Sequence, residues 1–134
     1  MSESELHKRF KERGWDIIVS IDYCNSIADG THNTPKPVPE GFPLFTSKNL
    51  TASNTLDKTD YYNISEKDLV DINRRSYVNK YDIIFGMIGT IGNPVVITEK
   101  NLNFAVKNVG IFRFGGDYYK SSWFYYSLFS DICN

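Results

Sequence analysis

A chain of 134 residues is the usual size of one domain built on one hydrophobic core. Its net charge of −1 excludes a protein that holds nucleic acid through a bulk basic field alone. It does not exclude a module that reads bases and leaves much of the phosphate contact to other subunits.

The apolar share of 41% is ordinary for a globular protein, and the 15% aromatic share, with 9 Tyr and 9 Phe, suits strands and half-buried surfaces. No apolar run reaches the roughly 18 residues of a membrane span. The N-terminal MSESELHKRFKERGW is charged and lacks the apolar centre of a secretory signal, so a cytoplasmic protein without a membrane partner is expected. Cys24 and Cys133 form no Cys-x-x-Cys spacing and read as buried, reduced thiols.

In chain order, SELHKRFKER (4–13) reads as a polar helix stopped by Gly14, and WDIIVSIDY (15–23) as a first strand. Residues 29–43 hold four of the five prolines and are expected to be an ordered, irregular loop. LFTSKNL (44–50) reads as a strand, and residues 51–60 as an exposed polar loop. Ser65 and Asp68 form a capping-box variant that opens a short helix through about Arg75, with Leu69 and Ile72 inward. YDIIFGMI (81–88) reads as a strand buried on both faces, GTIGNP (89–94) as a tight turn, and VVIT (95–98) as the returning strand. AVKNVGIFRF (105–114) reads as one further strand. Gly115-Gly116-Asp117 breaks the chain before an aromatic helix, Ser121–Ile132, whose Trp123, Phe124, Tyr126 and Phe129 are expected to pack on the core. The fold expected is α+β: a twisted, mostly antiparallel β core with short peripheral helices.

The chemistry points away from catalysis. The only histidines are His7 and His32, and neither the HExxH nor the paired CxxC spacing of a zinc site is present. No Gly-x-Ser-x-Gly context supports a triad through His32. GTIGNP is not followed by Gly-Lys-Ser/Thr, so a hairpin turn is favoured over a phosphate cradle, with a DNA-backbone contact left open. No Asn/Asp-Pro-Pro-Tyr/Phe motif for adenine methylation and no Asp…Glu-x-Lys nuclease set is found. No cofactor and no metal are expected.

The most distinctive stretch is DGTHNTPK (29–36). Thr31, His32, Asn33 and Thr34 place four hydrogen-bonding side chains in a row, and Pro35 holds Thr34 extended. Two readings are open: a loop that presents donors and acceptors to base edges or phosphates, and one whose polar groups satisfy its own backbone. Lys107 and Asn108 interrupt an apolar strand, and strict alternation would put them on opposite faces. They read as a polar clamp on the 29–35 loop or as ligand contacts. Arg74, Arg75 and Lys80 form a basic cluster after the short helix, suited to phosphates or to a solvated helix end.

These stretches resemble a family. DGTHNTPKPVPEGFPLFTSKNL, DIIFGMIGTIGNPVVI and FAVKNVGIFRF are similar, in order and spacing, to three signatures of a target-recognition domain in the specificity subunit of type I restriction-modification systems. The resemblance spans roughly residues 15–130. It implies a non-catalytic, sequence-specific DNA module in defence, and double-stranded DNA and a methyltransferase subunit as partners. The resemblance also admits a restriction subunit and a second recognition domain as further partners. The candidate DNA contacts are then Thr31, His32, Asn33, Thr34, Lys36, Lys48, Asn54, Arg74, Arg75 and Asn93, with Lys107 and Asn108 as the structural clamp. Such subunits usually carry two recognition domains separated by long helices. Here residues 1–134 are expected to form a single one, with the spacer helix absent or truncated at the C-terminus. Tyr81 stands before Asp82 where the family commonly has glycine. The alternative is a β-rich protein- or sugar-binding module.

Overall fold

A computed structural model describes residues 23–87, 92–100 and 102–128. The helix expected over 4–13 and the strand over 15–23, Tyr23 apart, lie outside them. So do Phe129, Cys133, residue 88 of the expected strand and residues 89–91 of the expected turn.

The fold is α+β, with two sheets and two short helices. The first sheet contains β1 (Ser26–Asp29), β4 (Ile83–Gly86), β5 (Gly92–Val96) and β7 (Val109–Arg113), in the order β1-β7-β4-β5. All its pairings are antiparallel. The second contains β2 (Phe42–Thr46), β3 (Tyr62–Ile64) and β6 (Ala105–Lys107), in the order β3-β2-β6. There β2 runs antiparallel to β3 and parallel to β6. Helix α1 is Glu66–Asn73 and helix α2 is Tyr118–Ser127.

Side-chain alternation along the strands builds the layers. Phe45 and Val106 of the second sheet meet Ile84, Val95, Val109 and Ile111 of the first in one core between the sheets. Leu44, Ile64 and Ala105 face the other way and bury Leu69 of α1. Ile83 and Phe114 bury Phe124 of α2 against the far face of the first sheet. The order through the molecule is α1, second sheet, first sheet, α2. Each large side chain buried this way contributes about 1.5–3 kcal/mol, and the four inward or outward turns of Leu44/Phe45 and Ile83/Ile84 fix the register of both sheets.

Several boundaries differ from the sequence reading. The strand expected over 44–50 stops at Thr46 and turns into a short 3-10 helix, Ser47–Asn49. Buried Asn49 causes this: its side chain accepts from the Thr46 N–H at 2.9 Å and donates to the carbonyls of Asp57 and Asp60 at 3.0 and 2.7 Å. The strand expected over 105–114 is two strands in two sheets, broken at Asn108, whose φ is +59°. Strands β1 and β3 are short and were not foreseen.

Ser65 is the N-cap of α1, its hydroxyl accepting from the Asp68 N–H at 3.2 Å, which is the first half of the expected capping box. Helix α2 starts three residues before Ser121, because Asp117 accepts from the Lys120 N–H at 3.0 Å. Its buried face is Ser121 and Phe124. Tyr119, Trp123 and Tyr126, spaced four and three residues apart, take the opposite face and are 83%, 65% and 71% exposed. The expectation that Trp123 and Tyr126 pack on the core is therefore corrected.

Asp82 ties the first sheet together. It is fully buried and accepts from the backbone N–H groups of Asn79 and Phe114 at 2.8 and 3.1 Å. Burial pushes its carboxyl above the usual range, against the pull of those two donors and of Arg113. Its neighbour Tyr81 has φ +73°, a left-handed backbone that glycine adopts more readily than a residue with a side chain. Among the described residues, no helix is long and apolar enough to cross a membrane.

Candidate nucleic-acid interface

The pairing registers bring strand ends from both sheets to one end of the molecule. Asp29, the last residue of β1, faces Gly110 beside the start of β7. Gly86, the last of β4, faces Val109 on one side and Gly92, the first of β5, on the other. Thr46, the last of β2, faces Lys107, the last of β6. Lys107 and Val109 flank Asn108, so the two sheets converge there. The β4–β5 pairing also shifts register between Ile84 and Gly86, a bulge at the same end.

The Asp29–Lys36 loop is laid across this junction. Its backbone is bonded first: the Gly30 N–H donates to the Val109 carbonyl at 2.8 Å and the Thr31 N–H to the Val106 carbonyl at 3.1 Å. The Asn108 N–H returns a bond to the Thr31 carbonyl at 3.1 Å, so Thr31 extends the second sheet beside Lys107. Gly30 is needed for this approach, because a Cβ there would lie 2.8 Å from the Val106 carbonyl oxygen.

The side chains then lock. Lys107 Nζ donates to Thr34 Oγ1 at 2.7 Å. His32 Nε2 lies 2.8 Å from Asp29 Oδ2, and Nδ1 lies 3.1 Å from Asn108 Oδ1. The Arg75 guanidinium reaches Asp29 Oδ1 at 3.2 Å, and the Ser76 hydroxyl donates to the Asp29 carbonyl at 2.7 Å. Tyr62 donates to the Pro35 carbonyl at 3.3 Å. Lys107 and Asn108 thus both bond the loop. Strict alternation fails because the left-handed Asn108 turns the chain between them.

The electrostatics follow from these contacts. His32 Nε2 faces the Asp29 carboxylate and Nδ1 faces the Asn108 carboxamide, contacts that favour the imidazolium as a double donor. The Asp29 contact, then the Asn108 contact, raises the His32 pKa above its ordinary value. The His32 hydrogen bond, and after it the charges of Arg75 and His32, lowers the Asp29 carboxyl against a smaller burial effect. With both nitrogens occupied and Thr34 bonded to Lys107, the loop contains no free base beside a free hydroxyl. Among the described residues, no three His, Cys, Asp or Glu are grouped to hold a metal ion.

The remaining candidate residues have separate placements. Asn54 (φ +60°) donates to the Pro94 carbonyl at 3.0 Å, and Asn93 (φ +48°) donates to the Leu50 carbonyl at 3.2 Å. These reciprocal bonds staple the 50–55 loop to β5, so both amides support backbone geometry. Lys48 follows Thr46 at the same end, exposed, 3.6 Å from Asp60. Lys36 is exposed beyond Pro35. Each residue of the expected basic cluster has a partner of its own: Arg74 pairs with Asp71 at 3.6 Å, Arg75 with Asp29, and Lys80 lies over the Tyr81 ring.

Two supports were missed from sequence. Asp29 is the hub of the network, and its signal was an Asp before Gly with a His three residues on. Arg113 is buried in β7 and donates to the carbonyls of Arg75 and Tyr77 at 2.8 and 2.9 Å, which fixes the segment that carries Arg75. Nothing local in VGIFRF signals that role. A scan against protein-family models finds no match, and no curated protein matches the chain.

Proposed function

We propose that this chain is a sequence-specific DNA recognition module, the specificity subunit or half-subunit of a type I restriction-modification system. In this reading it directs methyltransferase and nuclease subunits to their target and performs no catalysis itself. One observation carries the proposal: the three stretches that bear the family resemblance meet at one end of the fold. Asp29–Lys36 is bonded to Lys107 and Asn108, and β4 of the second stretch pairs with β7 of the third. A loop held this firmly presents its remaining polar groups at low entropic cost, as recognition of base edges requires.

The test is selection from randomised duplex DNA by the purified chain at micromolar concentration and low salt. Enrichment of a defined sequence is the expected result, and uniform recovery of all sequences contradicts the proposal. A protein- or sugar-binding module is the second reading, favoured by the exposed Tyr119, Trp123 and Tyr126 on α2. It predicts no sequence enrichment, with binding lost on Trp123→Ala. The recognition reading further predicts that the lone chain neither methylates nor cleaves DNA until partner subunits are added.

A further inference from the structure

Four hydrogen-bonding side chains stand in a row at the junction of the two sheets, and three are committed to hydrogen bonds within the protein. Thr31 Oγ1 accepts from the Asn33 N–H at 3.2 Å. His32 is held by Asp29 and Asn108. Thr34 is held by Lys107. The Asn33 side chain is exposed and has no hydrogen-bond partner among the described residues. The loop therefore fixes the backbone on both sides of one amide and, of these four side chains, leaves that amide free.

Its anchorage is unusual for an exposed residue. Thr31 is paired into the second sheet, and the Pro35 carbonyl is held by Tyr62. The Asn33 N–H is itself bonded. Binding through the Asn33 side chain costs the ordering of two side-chain torsions and little else. A carboxamide presents one acceptor and one donor side by side. In the major groove, adenine offers the complementary pair, the N7 acceptor and the N6 amino donor, and no other base edge presents that pattern.

We infer that Asn33 is a specificity-determining residue that reads an adenine in the major groove through a bidentate contact. The inference rests on the DNA-recognition reading above. Lys36, three residues on and charged, contributes a phosphate contact that carries no base preference.

The experiment compares wild type, Asn33→Ala and Lys36→Ala on the duplex that wild type selects. Unchanged thermal midpoints establish that both variants fold. Wild type is expected to require adenine at one position and to lose about 5- to 150-fold in affinity when another base replaces it. Replacing that adenine by 7-deazaadenine, which lacks the N7 acceptor, is expected to weaken wild type as well. Asn33→Ala should lose both effects at that position and keep its preferences elsewhere. Lys36→Ala should weaken binding evenly and keep the adenine preference. If Asn33→Ala retains the adenine preference and the 7-deazaadenine sensitivity, the inference is overturned while DNA recognition stands. A wild-type selection with no required adenine has the same consequence. If wild type selects no sequence at all, both readings fall.

Discussion

Asn108 sets the point where the chain passes from one sheet to the other. Its φ of +59° breaks an apolar run into β6 and β7, sends the halves to different sheets, and turns its own amide onto His32. Asparagine tolerates this left-handed backbone far better than alanine, and glycine accepts it freely. Asn108→Ala is therefore expected to destabilise the protein by about 1 kcal/mol more than Asn108→Gly, measured by denaturant unfolding. Equal losses would mean that the left-handed backbone at this position imposes no cost on a Cβ, because the His32 contact is lost in both variants and cancels. Two candidate contact residues, Asn54 and Asn93, and the clamp residue Asn108 share the left-handed conformation. Their presence in the candidate set was legible, but their purpose was not, because a polar residue in a turn looks the same whether it faces a ligand or its own backbone.

His32 makes the loop pH-sensitive. Its pKa is raised in the folded protein, through Asp29 first and Asn108 second. The stability it contributes is fully present below about pH 6.5, the unfolded value, and is lost as pH rises through the folded value. The Asp29 carboxyl is lowered, chiefly by the His32 bond, so its contribution is present above about pH 3.9 and is lost as pH falls through the folded value. Amide protection factors in the 30–34 segment are expected to peak between these limits and to decline toward alkaline pH. A protection profile that is flat across pH 5–8 would contradict the network as described.

At the scale of elements, the hydrophobic pattern revealed most of what is regular. Ser65 and Asp68 marked α1, the apolar run at Ile83 marked a strand buried on both faces, and the Gly115-Gly116-Asp117 break marked α2. What stayed hidden depends on contacts distant in sequence. β1 and β3 are too short to show a period, and the Thr46 stop is imposed by Asn49 reaching Asp57 and Asp60. The parallel pairing of β2 with β6 joins residues some sixty positions apart, with no local trace. The loop's attachment is of the same kind. Gly30→Ala places a methyl group 2.8 Å from the Val106 carbonyl oxygen. Because the obstacle is backbone and cannot swing aside, a loss of about 1–3 kcal/mol is expected, with lowered protection of the 30–34 amides. An unchanged unfolding midpoint would show that the loop can lift without cost.

At the scale of the whole molecule, charge and size set the affinity. A single module buries about 600–1,000 Å² against DNA, and a net charge of −1 gives little long-range attraction. Lys36, Lys48, Arg75 and Lys107 border the polar end, but Arg75 and Lys107 are already bonded to Asp29 and Thr34. Two to four phosphate contacts correspond to a slope of about −2 to −4 in log affinity against log salt. Lys36→Ala should reduce that slope by about 1. Alone, the chain is expected to be a monomer or weak dimer that binds DNA weakly, which light scattering and salt titration check together. A tight homodimer or nanomolar binding at physiological salt would mean that the chain assembles its own complete reader.

The most direct measurement is a map of the DNA contact on the protein: amide chemical-shift perturbation across the chain as the selected duplex is titrated in. The largest shifts are expected at Thr31–Lys36, Lys48 and Lys107–Asn108, with α2 and its exposed Tyr119, Trp123 and Tyr126 unaffected. Shifts centred on α2, with the 31–36 loop silent, would contradict the account.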